Sequence, residues 1–178
     1  VQEVYKKILK MIVTYLSAHT REGFLYRVDF RLRPYGRSGL PVNSLLSIID
    51  YYLEKADLWE IQALLKLRPV AGNLNTGYKF IKKIKSIIIR EYKKSVIVQS
   101  IRKNREMSVK KTVSGLGANI DIKNGTGGIR DIEFLVQGLQ LLNIFKYPEL
   151  FEGNTLQALK HLNKNKIINE STFNKLNE

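Results

Sequence analysis

Cysteine is absent from this chain of 178 residues, and histidine occurs only twice. The absence of cysteine excludes disulfide bonds and thiolate metal sites, and His19 and His161 are too few for a histidine-rich site. Any metal bound by these residues is therefore expected to have oxygen ligands. No signal-peptide pattern is present at Val1, which favours the cytoplasm.

Long apolar runs are also missing. The longest candidates, 87–89 and 96–98, are far shorter than the roughly 20 residues that a membrane-spanning helix needs. Acidic residues are scarce, with 16 against 30 basic ones, so the net charge is +14. This excess favours an anionic partner. The alternative is that an AT-rich coding sequence enriches lysine, and that these lysines lie on solvated faces. Nucleic acid is the least favoured partner, because no recognisable binding signature is present.

An alternating pattern over residues 26–33 predicts a half-buried β-strand. Its apolar side carries Tyr26, Val28, Phe30 and Leu32, and its polar side carries Arg27, Asp29, Arg31 and Arg33. The strand should end at Pro34 and lead into a glycine-containing loop at 35–39. A carboxylate among arginines suits metal and phosphate chemistry, but a solvated row of surface ion pairs is the alternative.

Helical periodicity covers much of the rest of the chain. We predict a helix over 2–19 that packs one apolar face, a helix capped by Ser44, and a helix that begins at Asp57 with Glu60 in an Asp-led capping box. Lys66 and Arg68 are expected in the last turn of that helix, before Pro69.

Residues 72–77 read as a linker, so a domain boundary is expected near residue 72, with one domain at 1–72 and the other at 73–178. Helices are predicted over 78–92 and 94–111, where the basic run from 102 to 111 is a solvated face. A short extended piece is expected at 119–123. The final stretch, 155–162 and 171–176, predicts a helical hairpin.

Glycines at 125, 127 and 128 precede a helix that should begin at Ile129, which leaves backbone N–H groups for an anion. No Lys-Ser/Thr pair follows, so this is not a P-loop. The helix is expected to bury Ile129, Ile132, Leu135, Val136 and Leu139. Its polar stripe, formed by Glu133, Gln137 and Gln140, is a ligand surface, a solvated surface or an interhelical surface.

Four motifs occur in one order: RVDFRLRP at 27–34, GRSG at 36–39, KLRPVAG at 66–72 and GGIRDIEF at 127–134. Together they resemble the glutamine synthetase adenylyltransferases, the bifunctional adenylyl-transferring and adenylyl-removing enzymes. The resemblance covers nearly the whole chain. It implies an α+β, mostly helical protein: the C-terminal part of a nucleotidyltransferase (polymerase-beta-like) sheet domain, followed by a helical bundle that is truncated at its C-terminus.

The resemblance also implies site residues. Asp29 matches the third acidic ligand for Mg²⁺, and Arg31 and Arg33 would act with it in catalysis. Arg37, Ser38, Lys66 and Arg68 match nucleotide- or phosphate-binding positions. The other matching motif positions, whose roles do not follow from the sequence, are Lys123, Gly127, Gly128, Arg130 and Glu133. A role in helix packing or ion pairing is the alternative for Lys66, Arg68, Lys123, Arg130 and Glu133.

The family's earlier element, a Gly-Ser turn followed by an Asp-x-Asp strand, has no counterpart here. We therefore expect an internal fragment that is inactive alone. The implied activity is addition or removal of AMP on a tyrosine of glutamine synthetase, with ATP, ADP and phosphate as small-molecule partners. The 68–72 and 127–134 motifs favour the N-terminal, adenylyl-removing half. The alternative is a noncatalytic module that contacts glutamine synthetase or a PII signalling protein.

Overall fold

The computed structural model of the chain describes residues 2–30, 32–113 and 121–177, with the backbone alone at 109–113. Short 3₁₀ helices lie at Gly36–Ser38 and Pro148–Leu150. The α-helices of the described residues are α1 (Gln2–Ser17), α2 (Leu45–Glu54), α3 (Leu58–Leu64), α4 (Leu74–Ile88), α5 (Lys94–Val113), α6 (Ile129–Asn143), α7 (Thr155–Lys164) and α8 (Glu170–Asn177). The mostly helical character that was predicted is confirmed.

The chain divides into two compact units, Val1–Ala56 and Asp57–Glu178. This division precedes the expected boundary near residue 72, because α3 packs against both α5 and α6 of the second unit. A helix that buries its apolar residues against later helices belongs to their hydrophobic core. The assignment of the two parts to a nucleotidyltransferase domain and a helical bundle stays a prediction.

In the first unit, the predicted helices α1 and α2 are both present. Ser44 caps α2, since its Oγ accepts a hydrogen bond from the Ser47 N–H at 3.2 Å. Tyr51 and Tyr52 of α2 are buried, and the Tyr35 ring lies 4.8 Å from the Tyr51 ring. The prediction that α1 buries one face is wrong for this structure, because none of its described residues is buried.

The predicted strand at 26–33 does not form in the described residues. The only bridge there joins Thr20 and Gly23 in a tight turn, and the Tyr26 N–H donates to the Leu16 carbonyl at 3.0 Å. A strand is stable only when its backbone groups pair with a neighbouring strand. The described parts of the chain contain no second strand, so the alternating pattern alone cannot produce a sheet. The nucleotidyltransferase sheet therefore remains a prediction.

The second unit is organised around α6, which packs against α3, α5, α7 and the 3₁₀ helix at Pro148–Leu150. The predicted C-terminal hairpin is confirmed, with α7 packed on α8. The apolar core of this unit comes from several helices and includes Ile61, Leu65, Ile84, Ile97, Leu141, Ile144, Leu150, Leu159 and Leu162. The second unit thus supplies a rigid frame on which its polar residues are held.

Two local predictions around α3 and α4 need correction. Helix α3 begins at the capping box, in which the Asp57 N–H donates to Glu60 Oε2 at 3.0 Å, but it ends at Leu64. Lys66 and Arg68 therefore follow the helix rather than occupy its last turn. The amides of residues 65–67 bond to carbonyls three residues earlier, a tight turn that closes the helix.

The expected linker at 72–77 is also wrong beyond its first residues, because α4 begins at Leu74. Asn73 caps this helix: its Oδ1 accepts from the Thr76 N–H at 3.0 Å. Gly77 lies in the first turns of α4, where a β-carbon would come within 2.6 Å of the Pro69 ring. Here glycine serves close packing of the helix on the preceding segment rather than chain reversal.

Candidate functional site

The loop after Asp29 is held together by Arg33. Its guanidinium donates to the carbonyl oxygens of Phe30 at 3.3 Å, Arg37 at 3.2 Å and Gly39 at 3.1 Å. A single half-buried cation thus closes the whole turn between residues 30 and 39. Most of its N–H donors are committed to the loop, so the position that was predicted to be catalytic also has a clear structural role.

The other predicted residues of this loop lie close by in the sequence and on its surface. Asp29 and Arg37 are exposed, and Arg31 lies outside the described residues. Ser38 donates its hydroxyl to the Tyr35 carbonyl at 2.8 Å. Tyr35 itself has a left-handed backbone, with φ at 61°, at the start of the 3₁₀ turn. The loop is therefore built by its own hydrogen bonds, with Asp29 and Arg37 left at the surface.

The resemblance implies a magnesium site with several acidic ligands. Within the described ranges, no three acidic or histidine side chains come together to hold a metal ion. Two-ion sites need several carboxylate ligands. Asp29 as a ligand for Mg²⁺ stays a prediction.

The polar stripe of α6 is an interhelical surface. Gln137 accepts a hydrogen bond from the Gln62 amide at 2.7 Å, which joins α6 to α3. Gln140 donates to the carbonyls of Leu150 at 2.7 Å and Glu152 at 2.8 Å. Both glutamines are buried, whereas Ile129 and Leu135, which were expected in the core, are exposed. Buried polar groups need partners, and these pairings supply them.

The Gln62–Gln137 pair allows a test of this role. Gln62→Leu should lower the free energy of unfolding by about 1–3 kcal/mol, because the buried Gln137 amide loses its partner. The double variant Gln62→Leu/Gln137→Leu should recover part of this loss, since both polar groups are then removed. Urea unfolding followed by circular dichroism measures both. The single variants Gln62→Leu and Gln137→Leu give two losses of unfolding free energy. A loss in the double variant that exceeds their sum would contradict the pairing.

In the glycine segment before α6, backbone groups form hydrogen bonds with charged side chains of the same chain. The Gly127 N–H donates to Asp131 Oδ2 at 2.8 Å. The next amides are also satisfied, because the Ile129 and Arg130 N–H groups donate to carbonyls of Ile122 at 3.1 Å and Lys123 at 3.0 Å. The expectation of free N–H groups for an anion is therefore wrong here. Asp131 supplies the negative charge that this helix start favours.

Arg105 completes the closure, and sequence reasoning missed it. It forms an ion pair with Asp131 and donates to the carbonyls of Asn124 at 3.0 Å and Gly125 at 3.2 Å. It was included in a basic run that was interpreted as a solvated face. The available signal was its position in α5, where Arg105 lies one helical turn beyond the apolar residue Ile101. Arg130 is tied to the same helix, as its Nη1 donates to Ser108 Oγ at 3.2 Å.

Gly128 is a position at which this geometry makes a definite prediction. A β-carbon there would lie 2.4 Å from the Ile122 carbonyl oxygen, a backbone atom that also bonds to Ile129. Gly128→Ala should therefore lower the free energy of unfolding by about 1–3 kcal/mol. Gly153→Ala is the comparison variant and should cost less, since a β-carbon at Gly153 would lie 3.3 Å from its nearest backbone atom. Equal stability of the two variants in thermal unfolding would contradict the assignment.

Asp121 forms the turn that leads into this segment. Its carboxylate accepts from the Asn124 side-chain amide and from the Asn124 N–H, both at 2.8 Å, and from the Lys123 N–H at 3.0 Å. The side-chain hydrogen bond from Asn124 is the main cause that holds the pKa of Asp121 below its ordinary value; the positive charge of Arg130 is a minor one. The expected extended piece at 119–123 is a turn from Asp121 onward, and residues 119 and 120 lie outside the described residues.

This pKa shift has a defined sign. A depressed carboxyl pKa stabilises the folded state above the unfolded pKa of about 4, and the contribution is lost as the pH falls through the lower folded pKa. Carbon-13 NMR titration of Asp121 should give a midpoint below that of an ordinary aspartate. Asn124→Ala should raise the pKa of Asp121 toward its ordinary value. An unchanged midpoint in that variant would contradict the stated cause.

A cleft of about 560 Å³ lies between two loops of the second unit. One wall is residues 65–68, which include the predicted Lys66 and Arg68, and the other is residues 151–154. Lys66 forms an ion pair with Glu133 of α6. The fold therefore brings together two of the motif positions that were predicted separately, and it adds residues 151–154, which sequence reasoning did not select.

Among the described residues, no helix combines the length and the apolar character that crossing a bilayer requires.

Comparison with known proteins gives two family matches along the chain. Residues 1–83 match the family described as glutamate-ammonia ligase adenylyltransferase, and residues 96–178 match the family described as GlnD PII-uridylyltransferase. The two matches follow one another, and the first contains Asp29 and the 66–72 motif, while the second contains the glycine segment and α6.

Curated relatives extend over most of the chain. The bifunctional glutamine synthetase adenylyltransferase/adenylyl-removing enzyme of Hahella chejuensis is 36% identical over 161 residues, covering 90% of this chain and 17% of that protein. The proteins of the same name from Bartonella henselae and Streptomyces avermitilis are 34% and 38% identical, over 98% and 82% of this chain. The chain spans only 18% and 14% of the length of those two relatives.

Proposed function

This chain belongs to the glutamine synthetase adenylyltransferase family, and we propose that it forms part of an enzyme that adds AMP to, or removes it from, a tyrosine of glutamine synthetase. The observation that carries the proposal is the continuous similarity to bifunctional enzymes of that name, which reaches 36% identity over 90% of the chain. The contact between Lys66 and Glu133 supports it, because two distant motifs of the family meet in one place.

The direction we propose is removal. A phosphate oxygen attacks the phosphorus of the adenylyl group, the bond from that phosphorus to the tyrosine oxygen breaks, and the products are ADP and free tyrosine, which takes up a proton. The 68–72 and 127–134 motifs favour this half of the bifunctional enzymes over the adenylylating half. Phosphate would then be a co-substrate here, and ATP would be the co-substrate of the opposite reaction.

We assign roles within the first unit as follows. Asp29 contributes one ligand to a Mg²⁺ site that needs further carboxylates, because a single carboxylate cannot hold the metal by itself. Exposed Arg37, with Arg31, contributes positive charge and hydrogen bonds to phosphate. Ser38 would donate to phosphate only by exchanging its hydrogen bond to the Tyr35 carbonyl. Arg33 acts mainly by holding the loop, since its guanidinium is bound to three loop carbonyls.

The proposed macromolecular partner is glutamine synthetase, and a PII signalling protein is a second proposed partner that would regulate the reaction. The net charge of +14 is compatible with an acidic protein surface as well as with phosphate-bearing ligands. Nucleic acid is not among the proposed partners, because no nucleic-acid-binding motif was found in the sequence.

The proposal is tested with a longer gene product that contains this chain. Adenylylated glutamine synthetase is incubated with phosphate, and release of ADP is measured; unmodified enzyme is incubated with labelled ATP, and incorporation of label is measured. We expect phosphate-dependent release of ADP. Incorporation of label without release of ADP would reject the proposed direction. If the longer product shows neither reaction, the proposal of an enzyme fails and the noncatalytic protein-binding module is favoured. The 178-residue chain alone should show neither reaction.

A further inference from the structure

We propose that the groove between α5 and α6 is a docking site for an amphipathic helix of another protein, one that carries acidic residues beside its apolar stripe. The groove has a volume of about 380 Å³ and is lined only by residues of the second unit. It includes neither Asp29 and its loop nor residues 65–68. The inference is therefore independent of the proposed adenylyl chemistry.

One wall of the groove is an apolar stripe of α6 that the fold leaves partly uncovered. Leu135, Leu139 and Leu142 line the groove; Leu135 is exposed, and the other two are half-buried. The buried side of the same helix carries Gln137 and Gln140 instead. Leucines that remain in contact with water gain free energy when a partner covers them, so this stripe is suited to docking.

Helix α5 forms the other wall. It adds Val98 and Ile101, which are half-buried and lie in the same groove as Phe134 of α6. From Ile97 to Arg105 this wall is about 12 Å long, which is about two helical turns. A helix that lies along a groove of this length can place apolar side chains into it from positions i, i+3 or i+4, and i+7.

Two features fix the spacing of α5 and α6. At Gly138 a β-carbon would collide with Ile101 Cδ1, so the glycine allows the two helices to approach closely there. Near the start of α6, Arg105 of α5 forms an ion pair with Asp131. Because both helices are held in place, the groove exists before a partner binds, and little ordering energy is spent on binding.

The charges beside the groove favour an acidic partner. Arg105 and Asp131 neutralise each other in their ion pair. The adjoining exposed face of α5 carries the cations Lys94, Arg102 and Lys103 and one carboxylate, Glu106. Arg102 also lines the groove itself. A docked helix with aspartate or glutamate beside its apolar stripe would bring these acidic groups close to the cations, and complementary charges orient a partner.

A second copy of this chain is a poorer occupant. It would bring the same net charge of +14. Its exposed apolar helix α1 carries three lysines and only one glutamate, so α1 would place further positive charge beside the basic face of α5. Like charges that face each other across an interface oppose binding. The charge pattern therefore favours a helix of a different, acidic protein.

Fluorescence anisotropy of two labelled peptides with the 178-residue protein tests the assignment. The first is a helical peptide of about 16 residues with leucine at i, i+4 and i+7 and glutamate on both sides of this stripe. The second has lysine in place of each glutamate. At low salt we expect saturable binding of the glutamate peptide and at least about tenfold weaker binding of the lysine peptide. No saturable binding of the glutamate peptide, or equal binding of the two, would overturn the proposal.

Leu135→Gln and Leu156→Gln form a matched pair of variants for the apolar contact. Leu135 lies in the groove and is 46% exposed, whereas Leu156 lies on α7, outside the groove, and is 51% exposed. Both changes should therefore leave the unfolding temperature nearly unchanged. We expect Leu135→Gln to weaken binding of the glutamate peptide at least about fivefold, and Leu156→Gln to leave it unchanged. Equal affinities of the two variants would overturn the groove assignment.

Arg102→Gln and Arg21→Gln are the matched pair for the charge. Arg102 lines the groove, whereas Arg21 is an exposed arginine of the first unit and controls for attraction by the net charge of +14. We expect Arg102→Gln to weaken binding of the glutamate peptide at least about threefold at low salt, and Arg21→Gln to leave it unchanged. An equal loss of affinity in both variants would overturn the proposed charge complementarity.

Two further measurements test the other occupants of the groove. In sedimentation equilibrium we expect a monomer; self-association that Leu135→Gln abolishes would assign the groove to a second copy and overturn the proposal. The longer gene product should bind the glutamate peptide as well as the 178-residue protein does. Loss of binding in the longer product would assign the groove to a helix of the same protein, which would likewise overturn docking of a separate one.

Discussion

Replacing Asp29 with asparagine should reduce adenylyl removal by a longer, active gene product about a thousandfold. The change deletes one negative charge from the proposed metal ligand, and a catalytic metal contributes several kcal/mol to transition-state stabilisation. Asp29 is exposed, so the substitution should leave the fold intact. Phosphate-dependent release of ADP from adenylylated glutamine synthetase measures the effect, and circular dichroism checks the fold.

Asp50→Asn is the matched control for this change. Asp50 is an exposed aspartate of α2 in the same unit, and its replacement removes the same charge. We expect Asp50→Asn to keep nearly full activity. If Asp29→Asn also keeps full activity, or if both variants lose activity equally, Asp29 has no place in the mechanism.

Replacing Gln140 with leucine should lower the free energy of unfolding by about 2–4 kcal/mol. Leucine is similar in volume, so the change isolates the loss of two hydrogen bonds from a side chain that is only 1% exposed. The carbonyls of Leu150 and Glu152 then lose their donor. Buried carbonyl groups without a partner are costly, because they have also lost contact with water. Urea unfolding followed by circular dichroism measures the difference.

Gln157→Leu is the control for that experiment. Gln157 is exposed on α7, and its side chain has no comparable role, so its replacement should change the free energy of unfolding by less than about 0.5 kcal/mol. Equal effects of the two substitutions would show that Gln140 does not hold the 150–152 segment.

Local signals in the sequence were sufficient where the decisive interaction lies within one segment. Ser44 caps α2 and the Asp57–Glu60 pair starts α3 as predicted, because these hydrogen bonds join residues three positions apart. The start of α6 at Ile129 was likewise predictable from the glycines before it. Caps and short-range periodicity depend on neighbours along the chain, which a sequence states directly.

Patterns were insufficient where a partner from a distant part of the chain decides the outcome. The alternation at 26–33 is strand-like, but in the described residues no second strand is there to pair with it. The free N–H groups expected before α6 are satisfied by Asp131 and by nearby carbonyls, and Arg105 of α5 completes that closure. Whether a polar or charged residue faces water, a ligand or another helix depends on which element packs against it.

The sequence by itself determined most of the helices and their caps, the scarcity of metal-binding side chains, and the similarity to the curated relatives. The tertiary structure alone decided that Gln137 and Gln140 are buried interhelical groups, that Lys66 meets Glu133, and that residues 151–154 face residues 65–68 across a cleft. The physical reason is the sequence separation over which the deciding interactions act. Helix formation and capping act between residues a few positions apart, whereas the burial of a polar side chain and the shape of a cleft depend on contacts between segments far apart in the chain.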